Sequence, residues 1–371
     1  MIRLAKMMKR KWVGASVALT LAVGFGVVIA WASRNPWPAR VVIVPPEPCD
    51  QGEFTTDDRG FLTSNKLRFV ASWNLATGKR QPPPTDPVIF RRSDSADRRS
   101  FVGVIYVGNG DSEVVWADAG SGAIKRRFLV RSAHAFHPTL EDGDRSIRAL
   151  VSDFPKKIPE VVTWDLTSGL EKRRPISVPQ TGPFSFRDLS LDGRTWAYFD
   201  SIQNGVRLWD VEADQPMGSL LRTPTTQKAT VLGAKFTPDG RTLAVARTDG
   251  QIEIWDVAKG HLIKMIKVYS GELAANRMTI SPDGRIIVSE LLYPGPSTRL
   301  GRFWARVCGL IPGWSMRTTR DVILIDLASG RQLARSQGSH SPRLSRDGRT
   351  IVTQEWDRTF TVRDTPRPTD Q

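Results

Sequence analysis

The chain contains few cysteines and histidines. Its 371 residues include two cysteines, Cys49 and Cys308, and four histidines. Two cysteines cannot build a disulfide scaffold, and no CxxC or Cys/His spacing predicts a zinc site. Two isolated thiols or one Cys49–Cys308 bridge in an oxidising compartment both stay open. His134 and His137 form an HxxH without a third ligand nearby, which favours a solvated turn over a metal site.

Catalytic motifs are also missing. The sequence has no nucleophile elbow, no HExxH, no P-loop and no dinucleotide fingerprint. Apolar residues make up 40% of the chain and charged residues 25%, which is typical of a globular protein with a buried core. The sequence therefore predicts a folded, non-catalytic protein. It indicates no catalytic residue, no cofactor and no metal ligand.

Acidic residues are absent from the first 40 positions. Lysines and arginines there contribute +7 of the formal charge of +15, and the remaining +8 is spread over the rest of the chain. A diffuse positive surplus favours anionic neighbours in general. It does not form the concentrated basic stripe of a dedicated nucleic-acid binder, so the sequence disfavours nucleic acid as the partner.

Charge of either sign is absent from residues 12–31. This apolar run follows a basic segment at 1–11, and as a helix it would span about 30 Å, the thickness of a bilayer core. Positive residues crowd its N-terminal side, so we expect a single-pass membrane anchor with a cytoplasmic N-terminus and an extracytoplasmic remainder. The alternative is a signal peptide cleaved near Ala32, leaving a secreted or periplasmic protein. Residues 32–53 then form a Pro-rich spacer.

The rest of the chain repeats one unit. Asp-Gly pairs predict turns, because glycine accepts positive φ and aspartate bonds its own backbone. A strand-end element recurs at intervals of 43, 48, 45, 46, 70 and 38 residues, close to the period of a four-stranded blade except for the 70. Seven copies predict an all-β fold of seven four-stranded antiparallel blades. The copies are Trp73-Asn74, Trp116, Trp164-Asp165, Trp209-Asp210, Trp255-Asp256, Ile325-Asp326 and Arg363-Asp364.

Two segments carry the clearest pattern. Residues 229–266 and 184–220 both contain Asp-Gly-Arg-Thr followed about fifteen residues later by Trp-Asp-Val. This pattern resembles the WD-repeat family, over roughly residues 54–364. The resemblance implies a seven-bladed β-propeller at 54–371 that presents its ring face to a protein or peptide partner. The step from fold to that function is an analogy.

The resemblance is incomplete in one respect. The family's Gly-His dipeptide is missing before the Asp-Gly turns, so its His–Ser/Thr–Asp–Trp network is expected to be incomplete, with Asp249, Trp209 and Trp255 remaining. A propeller must also close its ring. We expect Val41–Val44 or the adjoining segment to add a strand to the last blade, beside Thr359–Arg363.

The 70-residue spacing predicts an insertion at 293–320 in blade six. It holds five arginines, no acid and several large apolar side chains, and long loops in compact domains are usually functional or disordered. Three interpretations are open: an amphipathic element in a membrane interface, a partner-docking loop, or a cap on its own propeller. The candidate contact residues are Arg302, Phe303, Trp304, Arg306, Trp314 and Arg317.

A second function stays open beside the scaffold. An extracytoplasmic propeller can bind a small ligand or act as a hydrolase or lyase, using carboxylates or histidines at the channel mouth. The candidates Asp57, Asp58, Asp142 and Asp144 lie in turns that the fold already explains. Two or three such groups converging at one mouth would favour this function, whereas a face rich in arginine and tryptophan would favour the scaffold.

Overall fold

The computed structural model divides the chain into two compact units, residues 1–38 and 39–371. The predicted membrane or signal segment at 12–31 lies outside the described residues. Within the described part of the chain, no helix is long and apolar enough to cross a membrane. The structure describes residues 37–367 except 50, 56–57, 66–67, 83–89, 96, 98, 109–110, 120, 132, 142, 153–158, 178–186, 201, 223–228, 271–272, 274 and 294–318.

The described residues form 28 strands in seven four-stranded antiparallel sheets, as the repeat predicts. Each sheet is one blade, and in six of the seven the strands follow the chain from the first to the fourth. Blades one to three contain β2 (Gln51–Phe54), β3 (Gly60–Asn65), β4 (Arg68–Asn74) and β5 (Arg80–Gln81); β6 (Phe90–Asp94), β7 (Ser100–Gly108), β8 (Asp111–Asp118) and β9 (Ile124–Val130); and β10 (His134–Glu141), β11 (Ser146–Ser152), β12 (Glu160–Asp165) and β13 (Glu171–Pro175).

The next three blades repeat this order, and the seventh differs in the origin of its fourth strand. Blades four to six contain β14 (Arg187–Leu189), β15 (Thr195–Asp200), β16 (Gly205–Asp210) and β17 (Gln215–Leu221); β18 (Val231–Phe236), β19 (Thr242–Arg247), β20 (Gln251–Asp256) and β21 (Leu262–Lys267); and β22 (Ala275–Ile280), β23 (Ile286–Tyr293), β24 (Thr319–Asp326) and β25 (Gln332–Gln337). Blade seven contains β26 (His340–Leu344), β27 (Thr350–Gln354), β28 (Phe360–Asp364) and β1 (Val41–Ile43).

Blade seven joins the two ends of the propeller. β1 pairs with β28, with Val42 opposite Thr361, so the strand expected at Val41–Val44 does lie beside the last strand of the chain. Ile43 is fully buried and packs with residues of blades seven and one. The ion pair between Arg40 and Asp364, 2.7 Å apart, lies next to this strand. The propeller therefore includes residues that precede position 54.

The connections lie on two opposite faces, because consecutive strands of each blade run antiparallel. One face carries the turns from first to second strand and from third to fourth strand; we call it the turn face. The other carries the connections from second to third strand and from one blade to the next; we call it the loop face. The described Asp-Gly turns lie on the turn face, and Tyr293 and Thr319, which flank the predicted insertion, lie at the loop face.

A serine or threonine two residues before the turn aspartate organises the turn face. In blade five, Thr237 donates to Asp239 (2.6 Å) and accepts the N–H of Thr242 (3.0 Å). The hydrogen bond from Thr237 lowers the pKa of Asp239, against the opposing effect of burial. The same hydroxyl role recurs in other blades, so the repeated turn is Ser/Thr-x-Asp followed by an arginine. These hydroxyls belong to Ser95, Ser190, Ser281 and Ser345.

One backbone hydrogen bond then ties the two turns of every blade together. The residue after the third strand donates its N–H to the carbonyl of the turn arginine, at 2.7–2.9 Å in all seven blades. This shared bond shows that the loosely matching blades one to three follow the same frame as blades four and five. The donors and acceptors are Leu75–Arg59, Ala119–Arg99, Leu166–Arg145, Val211–Arg194, Val257–Arg241, Leu327–Arg285 and Thr365–Arg349.

The HxxH lies in a strand, so the expectation of a solvated turn there is wrong. His134 and His137 belong to β10, which has a register shift between Phe136 and Thr139. No group of three or more potential metal-ligating side chains occurs among the residues that the structure describes. Cys49 is buried in the cluster between blades seven and one, and Cys308 lies outside the described residues.

Candidate functional site

The predicted insertion separates β23 from β24, whose paired ends lie at the loop face; we call these paired ends the base of the insertion. β23 ends at Tyr293 and β24 begins at Thr319, and these two residues are opposite each other in the ladder. The intervening residues 294–318 lie outside the described part of the chain. They include all six predicted contact residues: Arg302, Phe303, Trp304, Arg306, Trp314 and Arg317.

The seam between blades six and seven at this base is polar. Glu290 of β23 is 4% exposed, pairs with Arg320 at 3.3 Å and accepts the N–H of Ser341 from blade seven at 3.1 Å. Asp321, fully buried, bonds Arg335 and accepts the N–H of Gly338. Buried carboxylates are stable only with such partners, so this seam holds the two blades in one arrangement.

A second polar chain crosses the same seam. The hydroxyls of Ser336 and Ser339 lie 2.6 Å apart, and Ser339 donates to Glu355 of blade seven at 2.7 Å. Glu355 also pairs with Arg363 at 3.3 Å. An apolar cluster lies between blades four and five, where Asp188 also bonds Lys235 and the N–H of Phe236. The seam at the base of the insertion carries more such carboxylates, namely Glu290, Asp321 and Glu355.

Trp356 lies on the loop face at the outer end of this seam. It occupies the connection between β27 and β28 and is 48% exposed. The guanidinium carbon of Arg320 lies 5.7 Å from its ring centroid, and the His340 ring meets it edge-on at 5.7 Å. A side chain on Gly338, whose φ is +76°, would come within 3.2 Å of the indole. The tryptophan is thus held in place while half of its surface stays in contact with water.

His340 is surrounded by charges of both signs. Burial lowers its pKa most, the positive charges of Arg320 and Arg277 lower it further, and Glu290 and Glu355 oppose them. Its Nδ1 lies 3.2 Å from the hydroxyl of Ser341. The net effect favours a neutral imidazole near pH 7, because the unperturbed value is already about 6.5.

The turn face presents a different electrostatic pattern. All seven turn arginines are exposed there, but each lies beside an aspartate of the same turn in the sequence. In blade two, for example, Arg99 lies 3.8 Å from Asp97. Charges of opposite sign at such short spacing cancel at a distance, so the ring of arginines does not build a positive field.

Three carboxylates of blades one and two contact arginines of blade seven. Glu53 of blade one lies 2.8 Å from Arg343 of blade seven. Arg346 pairs with Asp94 at 3.3 Å, and its N–H donates to Asp58 at 2.9 Å. Asp57 and Asp142 lie outside the described residues, and Asp58 and Asp144 occupy turn positions with positive φ. These contacts link blades one, two and seven and serve ring closure.

The comparisons with known proteins agree with the fold. Residues 202–288 match the family model described as the anaphase-promoting complex subunit 4 WD40 domain. The β-propeller domain of Cps50 (Swd1) from Myceliophteria thermophila superposes with a TM-score of 0.56 at 13% identity, covering 88% of this chain and 99% of that one. That likeness shows the fold alone. Together these findings show a seven-bladed β-propeller that is similar to WD40 domains over residues 202–288.

Curated relatives are similar over parts of their length. The chain is 32% identical to periodic tryptophan protein 2 of Arabidopsis thaliana over 146 residues, which are 38% of this chain and 14% of that protein. It is 26% identical to the guanine nucleotide-binding protein subunit beta of Oryza sativa subsp. japonica over 216 residues, which are 54% and 50% of the two chains. The chain thus spans half or less of the length of these relatives.

Sequence reasoning located the insertion but missed the residues at its base. His340 and Trp356 are not among the predicted contact residues, although Trp356-Asp357 is a Trp-Asp pair. It comes seven positions before Arg363-Asp364, too early for the end of a third strand. The repeat does not require a tryptophan in the connection between β27 and β28. A Trp-Asp pair at the wrong spacing was therefore the sequence signal that could have indicated Trp356 as a functional residue.

Proposed function

We propose that this protein is a non-catalytic scaffold that holds a protein or peptide partner on the loop face of blades six and seven. The observation that carries the proposal is the position of the insertion. Its two ends are fixed by the Tyr293–Thr319 pair, directly beside the exposed Trp356 and its arginine neighbour. Tryptophan and arginine dominate the energetics of protein interfaces. Contact residues of the insertion are Arg302, Phe303, Trp304, Arg306, Trp314 and Arg317.

The pairing of Tyr293 with Thr319 permits a clean deletion. Residues 294–318 can be replaced by Asn-Gly, because a two-residue type I′ turn joins directly paired antiparallel strands. The full-length protein and this variant are captured from cross-linked native membranes. We expect one stoichiometric partner with the full-length chain and its loss from the variant. Equal recovery of a partner with both proteins would place the docking site elsewhere, and recovery from neither would count against a scaffold.

A matched variant separates partner docking from membrane contact. Trp304→Ser with Trp314→Ser keeps the length and the arginines of the insertion. Loss of the captured partner with unchanged liposome binding supports docking. Loss of liposome binding alone would support the membrane-interface interpretation instead. Unchanged behaviour in both assays is the result expected if the insertion caps its own propeller.

We also propose that residues 12–31 tether the propeller to a membrane, with the propeller on the extracytoplasmic side. The support is the uncharged run behind a basic N-terminus. The tethered protein should stay in the pellet after alkaline carbonate extraction, and its propeller should resist protease added from the cytoplasmic side. Release into the supernatant, with a mature N-terminus near Ala32, would support the cleaved signal peptide.

A further inference from the structure

Acidic and basic groups around Trp356 differ in their exposure. Glu290 and Asp321 are 4% and 0% exposed, and both are bonded to arginines within the seam. In contrast, Arg277 and Arg358 are exposed, and Arg320 retains 33% of its side-chain surface. The seam therefore keeps Glu290 and Asp321 inside and pairs the partly exposed Glu355 with Arg363, while Arg277 and Arg358 face water.

Basic residues outnumber acidic ones among the exposed described residues near Trp356, where Arg277 and Arg358 lie with Asp357. Among the exposed described residues of the neighbouring connection, Asp357 is acidic, and Thr359 bonds its carboxylate. A surface of this sign attracts a negatively charged partner and repels a basic one, which sets specificity as well as encounter rate.

Trp356 adds an apolar contact that is already ordered. Its ring is bounded by Gly338, His340 and Arg320, so its orientation is set before any partner arrives. Ordering a side chain on binding opposes association, and an anchor that is held in advance avoids that loss. The site therefore offers a fixed indole inside a positive rim.

We infer that Trp356 anchors an acidic segment of the protein partner, which places an apolar side chain on the indole and its carboxylates on the surrounding arginines. This inference rests on the proposed scaffold function and names the chemistry of the partner. The neighbouring arginines Arg277, Arg320 and Arg358 provide the complementary charge.

The test uses the full-length protein in phosphatidylcholine nanodiscs and short fluorescein-labelled peptides. One peptide carries Asp and Glu around a central Leu and Phe, a second replaces the acids by Lys, and a third replaces them by Ser. We expect the acidic peptide to bind best and its affinity to fall as salt is raised. Trp356→Ala should weaken its binding about tenfold, and Arg277→Gln should weaken it less.

Ile202→Ala is the matched control. Ile202 is 85% exposed in the corresponding connection of blade four, on the same face, so its loss removes apolar surface away from the site. Equal effects of Trp356→Ala and Ile202→Ala, or equal binding of the three peptides, would overturn the inference. Binding of anionic vesicles without binding of acidic peptide would overturn it in favour of a lipid surface. In each case, capture of a partner through residues 294–318 would leave the scaffold itself standing.

Discussion

Blades five and seven share the same four-stranded frame, but they carry chemically different residues at the end of the third strand. In blade five, Trp255 is 4% exposed, packs in an apolar cluster and donates to Glu253 at 3.0 Å. In blade seven, Arg363 takes that position and donates to Thr353 at 2.6 Å. The turn hydroxyls, Thr237 and Ser345, are alike in both blades. The frame thus depends on its turns, and the strand-end residue varies between blades, from Trp255 in blade five to Ile325 in blade six and Arg363 in blade seven.

Blade one shows why an arginine can replace the tryptophan. Trp73 donates its indole N–H to Thr63 at 3.1 Å, and Thr63 occupies the same ladder position as Thr353. Arg363 therefore uses an acceptor that the frame already offers, and it adds the ion pair with Glu355. That added charge connects blade seven to the polar seam. Replacing one residue at the end of a strand thus changes the chemistry between two blades without changing the fold.

The largest expected effect is in blade five. Arg247 and Glu253 are 3% and 1% exposed and lie 3.3 Å apart, so Glu253→Leu leaves a buried cation without its partner. We expect a loss of about 3–5 kcal/mol of unfolding free energy, measured by thermal melting of the full-length protein in detergent. The double variant Arg247→Met/Glu253→Leu should recover part of that loss, although the indole N–H of Trp255 still lacks its acceptor Glu253. A double variant as unstable as the single one would show that the lost Trp255–Glu253 hydrogen bond, and not the unpaired charge of Arg247, accounts for the loss.

Arg363→Ala should have the next largest effect, about 2 kcal/mol, because it leaves Thr353 and Glu355 without their common donor. Arg363→Trp tests the equivalence of blades one and seven directly. If the frame is the same, the indole will donate to Thr353 and recover part of the stability. An Arg363→Trp protein that melts below Arg363→Ala would mean that blade seven has no room for the residue of blade one.

The frame of both blades was predictable from the sequence, because it is encoded locally. Turns at Asp239-Gly240 and Asp347-Gly348 need only adjacent residues, and the regular spacing of strand ends counts the blades. The apolar run at Val41–Val44 likewise marks the ring-closing strand. Such signals survive in a single sequence because each depends on a few neighbouring side chains.

The partner of each tryptophan was not predictable in the same way. Trp255 donates to Glu253, Trp164 to Glu171 and Trp209 to Asp214, so three equivalent indoles use three different acceptors. Asp249, the expected member of a family network, accepts from Gln251 instead. The acceptor in each blade is the polar side chain that reaches the indole across a strand or turn, and the repeat does not specify which residue that is.

The candidate site could not be predicted from the sequence for a similar reason. Glu290 and Arg320 are thirty positions apart in the chain, and they meet because β23 and β24 are paired. Their joint contact with Ser341 and Trp356 requires the next blade to be in place. Sequence reasoning detects the insertion as a gap in a period, whereas its base is a property of the assembled seam.

A smaller effect tests the turn hydroxyl that five blades share. The buried hydroxyl of Ser281 donates to Asp283 at 2.5 Å and accepts the N–H of Ile286 at 2.9 Å. Ser281→Ala should lower the unfolding free energy by about 1 kcal/mol, measured by thermal melting. Ser281→Thr is the control, because blade five has Thr237 at this position. A threonine variant as unstable as the alanine variant would contradict the view that the hydroxyl supports the frame.

The smallest effect concerns pH and the polar seam alone. The pKa of His340 is lowered by burial and by Arg320 and Arg277, so the unfolded chain binds a proton at His340 more readily than the folded chain does. Stability is therefore fully present above the unfolded pKa, about 6.5, and is lost as the pH falls from there through the folded pKa. His340→Gln removes this contribution and keeps a polar side chain.

The measurement is the difference in melting temperature between wild type and His340→Gln from pH 7.5 to pH 5. Other groups titrate in both proteins, so the difference isolates His340 from the carboxylates of the seam. We expect the wild type to lose stability relative to the variant as the pH falls. A wild type that instead gains stability would mean that Glu290 and Glu355 outweigh burial and the two arginines. The seam would then favour the imidazolium, and blade seven would present one more positive charge beside Trp356.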